Sequence, residues 1–130
     1  MAKKKMSLPH HHHDTGTEEK VLNCIPEQKD FVAAGHVLKQ VGDPSRLKIF
    51  WLLCHAEECV INIAAIMEMS SPAVAHHLKR LKDAGLIISR RDGKEMYYRA
   101  ADTESAHALH RSVETILNIT CPKYDRSYLD

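Results

Sequence analysis

The chain has 130 residues, which fits one domain, and its 44% hydrophobic and 27% charged residues are the composition of an ordinary soluble globule. Its 18 Lys+Arg against 17 Asp+Glu leave a formal net charge of +1, which taken alone argues against a nucleic-acid binder. No run approaches the ~18–20 apolar residues of a membrane span, no apolar stretch of the signal-peptide kind follows the basic start, and no Gly-rich phosphate loop, Gly-x-Ser-x-Gly elbow or His-Glu-x-x-His is present. A cytoplasmic protein with no membrane association and no enzymatic activity is therefore expected.

Residues 1–20 hold Lys3-Lys4-Lys5 and the run His10 to His13, without apolar periodicity, and read as a disordered Lys/His-rich tail. The domain proper is expected over 21–121, with a C-terminal tail over 122–130. Phe31, Ala34, Leu38 and Val41 fall at helical spacing over 27–41, and Gly42 ends that helix. Asp43-Pro44 is a fresh helix start, a capping side chain followed by proline. The second helix covers about 44–56, with Leu47, Phe50, Trp51, Leu53 and Cys54 on its apolar side. A short third helix covers about 60–68. Met69-Ser70-Ser71 breaks it, and Ser71-Pro72 starts a fourth, whose buried stripe is Val74, Leu78 and Leu81. Gly85 closes it.

The period then changes. Residues 86–91 and 94–99 are rich in β-formers and flank Asp92-Gly93, a strong hairpin signal. A last helix over 103–119 places Ala106, Leu109, Val113, Ile116 and Leu117 on one side. This last helix and the helix at 27–41 carry more apolar surface than a lone short helix can bury, so a homodimer paired across a two-fold axis is expected.

Two short helices joined by a tight turn and followed by a hairpin make a winged helix-turn-helix, mainly α with a β-hairpin wing. The charge distribution agrees. Residues 71–99 hold seven basic and three acidic residues, a net of +4, so the chain's +1 leaves −3 elsewhere. A basic stripe confined to the fourth helix and the wing is a phosphate-binding footprint that overall charge conceals. Double-stranded operator DNA is the expected partner. Ser70, Ser71, Ala73, His76 and His77 would approach base edges, Lys79 and Arg80 would take phosphates, and Arg90, Arg91 and Lys94 would contact backbone or minor groove. The bland alternatives are a solvated charged face on an all-α domain and, for His77, a structural histidine packed at the turn.

Gly42-Asp43-Pro44-Ser45-Arg46-Leu47-Lys48-Ile49, the stretch from Ser70 to Leu81, Ala84-Gly85-Leu86-Ile87 and the stretch from Arg90 to Tyr98 together resemble the ArsR/SmtB family, in register over about 30–119. The resemblance implies a homodimeric winged-helix repressor released from its operator by an inducer, often a metal ion and sometimes an oxidant or sulfur species. Glu57-Glu58-Cys59-Val60-Ile61-Asn62 looks like the family's third-helix metal box. Cys59 matches its ligand cysteine, Asn62 stands where some members have Asp, and Glu58 replaces a Leu. The same resemblance implies further thiolates from an N-terminal segment, where Cys24 lies; Cys54, five residues before Cys59, is a further candidate, and Cys121 at the end of the last helix another. Such soft donors favour Cd(II), Pb(II), Zn(II), Cu(I) or trivalent arsenic over hard cations.

The alternative within the same fold is a redox or sulfane-sulfur sensor closing a di- or polysulfide between Cys54 and Cys121. The plain reading of Cys54 is a small buried hydrophobe. The family's last-helix metal site is matched only in its first half, by Asp102 and Glu104, with Thr115 and Asn118 at the later positions. His107 and His110, three residues apart, read as ordinary surface or interface histidines that would bind a metal only weakly.

Overall fold

The computed structural model describes residues 8–10 and 15–119, in two compact units, one up to Gly35 and one from His36 onward. The first unit holds α1 (Thr15–Cys24) and the start of α2 (Gln28–Val41). Helix α1 begins inside the stretch expected to be a disordered tail, and the expected boundary at residue 21 falls within it. Its sequence explains this: Glu18 lies in the first turn, where the helix dipole favours an anion, and Lys20, Leu22 and Cys24 leave Val21 as the sole β-branched residue after the first turn.

In the second unit, α3 (Pro44–His55) starts at Asp43, whose carboxylate accepts the Arg46 amide at 2.9 Å. Pro44 sits in the first turn, where its missing N–H costs nothing. Strand β1 (Glu58–Cys59) leads into α4 (Val60–Met67), and a three-residue turn leads on to α5 (Ser71–Asp83). That turn begins at Glu68, a non-glycine residue with φ of 54°. Its left-handed conformation lets the Met69 amide reach the Ala64 carbonyl at 3.0 Å. The cap of α5 is Ser70, whose Oγ accepts the Ala73 amide at 3.3 Å, so Ser71 is the first helical residue.

Helix α5 ends in a Schellman motif. The Leu86 amide bonds the Leu81 carbonyl at 3.0 Å and the Gly85 amide that of Lys82 at 2.9 Å, with Gly85 at φ 75°. Leu81 and Leu86 are both buried, which fixes the exit of the chain into the wing. The wing pairs β2 (Ile87–Asp92) with β3 (Glu95–Ala100), Asp92 opposite Glu95. Its two loop residues are therefore Gly93 and Lys94, one position later than Asp92-Gly93. Gly93 alone there has positive φ, 64°, the pattern of a II′ turn. β1 adds to the other edge of β3, Glu58 opposite Tyr98 and Cys59 opposite Tyr97. Two residues are too short to show alternation, so this strand leaves no trace in the sequence pattern.

The core gathers Ile49, Phe50 and Leu53 of α3, Ile63 of α4, and Val74, Leu78 and Leu81 of α5, with Leu86, Ile87, Ala101 and Ala106. Burial of each large side chain contributes roughly 1.5–3 kcal/mol. Helix α6 (Glu104–Leu117) follows its cap Thr103. It buries Ala106 and Val113 but leaves Ile116 81% and Leu117 52% exposed. The apolar side expected over five positions is thus split between the core and the surface. Among the described residues no helix is long and apolar enough to cross a membrane.

Candidate nucleic-acid interface and metal-binding residues

With Val74, Leu78 and Leu81 held in the core, α5 turns its opposite face outward. Pro72, Ala75, His76, Lys79 and Arg80 are exposed there, beside the exposed Ser70 and Ser71 at its start, whereas Ala73 is half-buried. Ala75 was not among the expected contacts. Its position three residues after Pro72 and four before Lys79 is the signal that places it on that face. Small side chains near the start of the helix permit close approach to a groove, and the cations lie about two turns from that start. Arg80 Nε donates to His76 Nε2 at 3.1 Å, which holds the two side chains together. Lys82 Nζ donates to Ser89 Oγ at 2.7 Å, tying α5 to the wing.

His77 is half-buried and turned toward α3, where its Nδ1 accepts from Arg46 Nε at 3.3 Å. The same guanidinium donates through Nη1 to the Gln40 carbonyl at 3.1 Å and to Gln40 Oε1 at 2.9 Å. This hub holds the end of α2, the start of α3 and the middle of α5 together, which favours the structural reading of His77 over base contact. Burial pushes the His77 imidazole below its ordinary value, the Asp43 charge opposes this, and Arg46, His76 and Arg80 add to it. The hydrogen bond donated by the Arg46 backbone N–H is the main cause that holds the Asp43 carboxyl below the usual carboxylate range.

The wing departs from expectation at one residue. Arg90 folds back on the sheet: its Nε donates to Glu57 Oε1 at 2.9 Å and its guanidinium lies 4.9 Å from the Tyr97 ring centroid. The hydrogen bond from Arg90 is also what holds the Glu57 carboxyl low. Arg91 and Lys94 at the tip are exposed, and Arg91 Nε donates to the Gly93 carbonyl at 3.3 Å.

The cysteines are spread. Cys24 is exposed at the end of α1, Cys54 is half-buried on α3 against the core, and Cys59 is buried in β1. Cys121, and with it the Cys54/Cys121 pair, lies outside the described residues, as do His11 to His13 of the tail. Asn62 and Glu58 of the metal-box stretch bond one another at 3.0 Å on the surface.

Among the described residues one group of three potential ligands converges, and it contains no cysteine: His55, His110 and Glu114. His55 is the last residue of α3, and His110 and Glu114 stand one turn apart on α6. Nε2 of His55 and Nε2 of His110 are 3.0 Å apart, Glu114 Oε1 is 3.7 Å from His55 Nε2, and it also touches His110 Nε2. Sequence spacing offered His107 as the companion of His110. Instead His107 turns to Asp102 at 2.6 Å, and the partner of His110 comes from a helix 55 residues away.

The sequence and the fold match known proteins. The family model for the bacterial regulatory protein, arsR family, covers residues 43–89, the stretch from the α3 cap through α5 into β2. A cadmium resistance transcriptional regulatory protein, CadC, of Listeria innocua is 36% identical over 59% of this chain and 75% of its own length. The chain belongs to the ArsR family. Another ArsR-type relative, the HTH-type transcriptional repressor SmtB of Mycobacterium tuberculosis, is 35% identical over 63% of this chain. The chain spans 61% of that repressor's length. A homodimeric winged helix-turn-helix DNA-binding domain from Mycobacterium bovis superposes with a TM-score of 0.63 at 29% identity, over 73% of this chain and 89% of that one. The ArsR-family winged helix-turn-helix expected from the sequence is thus the fold, and the named relatives are transcriptional regulators, not enzymes.

Proposed function

We propose that this ArsR-family chain is a transcriptional repressor that binds operator DNA as a homodimer and is released by a thiophilic metal ion. The observation that carries the DNA-binding part is the outward face of α5, with small residues at its start and Lys79 and Arg80 about two turns on, next to a wing tipped by Arg91 and Lys94. Lys and Arg there would neutralise phosphates, and Ser71, Ala75 and His76 would meet base edges. Exposed Ile116 and Leu117 on α6 and Leu38 on α2 support the homodimer. Pairing would cover them and set two recognition helices about one DNA turn, ~34 Å, apart.

For the inducer, Cys59 is the anchor, with Cys54 on the preceding helix and Cys24 and Cys121 as further thiolate donors. Their soft chemistry suits Cd(II), Pb(II) or trivalent arsenic, and a relative bears the name of a cadmium resistance regulator. Linking the β1 end to other segments would disfavour the DNA-matched spacing of the recognition helices. A coupling of ~1–3 kcal/mol, or more with two sites per dimer, is sufficient. The test is fluorescence anisotropy of a bound duplex during Cd(II) titration of reduced protein. Cys59→Ser should bind the duplex as the parent does and no longer let go of it. Full Cd(II)-driven release from that variant would contradict the assignment.

A further inference from the structure

We infer that His55, His110 and Glu114 form a binding site for a zinc-class divalent cation, separate from the cysteines. Two imidazole nitrogens and a carboxylate oxygen converge on one point, all within 4.8 Å of one another. Nε2 of His110 faces both His55 Nε2 and Glu114 Oε1. A cation held between them satisfies all three. Tetrahedral Zn–N bonds of ~2.0–2.1 Å put neighbouring ligand atoms ~3.3 Å apart. Two edges of this triangle, 3.0 and 3.7 Å, lie on either side of that value, and the third, between His110 Nε2 and Glu114 Oε1, is shorter, so the Glu114 carboxylate would swing outward to take its place on the ion.

The surroundings also fit. The side chains of His55, His110 and Glu114 are only 8%, 14% and 12% exposed, so the ligands are held rather than swinging in solvent. The Trp51 ring packs on His55 with centroids 4.4 Å apart, and the His110 ring meets His55 edge-on at 4.7 Å. The three side chains line a cavity of about 530 Å³ together with Glu57, Arg99, Asp102 and Arg111. A fourth ligand, water or a small anion, has room to enter there, as at zinc sites with three protein ligands. The donor set is borderline rather than soft, so it discriminates against trivalent arsenic and Pb(II), the ions that thiolates select. Within one protomer the ion would staple the end of α3 to α6. Metal binding at this site does not depend on the repressor reading.

Trp51 is the chain's single tryptophan, so its fluorescence reports on this site. The experiment uses the full-length reduced protein with His10 to His13 each changed to Ser, so that the tail contributes no signal. Co(II) is titrated against Trp51 emission, with the visible d–d bands recorded and Zn(II) competition following. The expected result is quenching of Trp51 that saturates with one Co(II), d–d bands that grow with it whether or not ions on the cysteines add thiolate charge transfer, and displacement by Zn(II). His110→Ala and the near-isosteric Glu114→Gln should each weaken binding more than tenfold, while Cys59→Ser should leave it unchanged. Glu114→Gln keeps the test valid should His110→Ala not fold. Binding that persists in both His110→Ala and Glu114→Gln, that vanishes in Cys59→Ser, or that is absent from the parent because the cluster holds protons only, overturns the site.

Discussion

Replacing Arg46 with methionine should destabilise the protein by about 2–4 kcal/mol. The guanidinium supplies three hydrogen bonds, two to Gln40 and one to His77 Nδ1. Gln40 is only 3% exposed, so its carbonyl and Oε1 would lose their donor in a place water reaches poorly. A stranded buried polar group costs ~1–3 kcal/mol, and the longer 3.3 Å bond to His77 adds ~0.5–1 kcal/mol. Methionine keeps most of the aliphatic stem, so the cavity contribution stays small. Urea unfolding of the parent, Arg46→Met, Gln40→Leu and the double variant closes a thermodynamic cycle. The two changes should be coupled by at least ~1 kcal/mol, because Leu removes the oxygen that Met strands. A loss below ~1 kcal/mol for Arg46→Met, or strict additivity, would refute the hub.

Stability should also depend on pH through His77. Burial holds its folded value below 6.5, so the unfolded chain takes up the proton first. This contribution is complete above about pH 6.5 and is lost as the pH falls through the folded value. His77→Gln should flatten that part of the profile in urea titrations at stepped pH. Lys79→Ala should lower the slope of log affinity for duplex DNA against log salt by about one per protomer, whereas Arg90→Ala, already committed to Glu57, should change it little. Ile116→Glu should leave the fold intact, since the side chain is 81% exposed, and convert a dimer to monomers in sedimentation.

The features legible from sequence are those decided within a few residues. Asp43-Pro44 announces a helix start because a cap and a proline act on the next turn alone, and Pro72 marks the next start, although the cap there is Ser70 and not the expected Ser71. Gly85 marks the exit from α5 because a left-handed residue is needed there. The wing turn was offset by one residue, since Asp92-Gly93 and Gly93-Lys94 share the same glycine and strand register decides between them. What stayed hidden depends on tertiary packing. His55 meets His110 only after α3 and α6 are in place, and Glu57 captures Arg90 across 33 residues. The family resemblance points the metal reading to Cys59 and spacing adds Cys54, yet neither belongs to a three-ligand group among the described residues.

Duplex DNA is the proposed ligand of α5 and the wing of this ArsR-family chain. Selection of bound duplexes from a random library by the reduced, full-length protein tests it most directly. A two-fold symmetric site with half-sites about one turn, ~10 bp, apart should be enriched, and the enrichment should be lost when Lys79 and Arg80 are both changed to Ala. Recovery of no sequence above the starting library, or the same enriched site with the double variant at undiminished affinity, would contradict it.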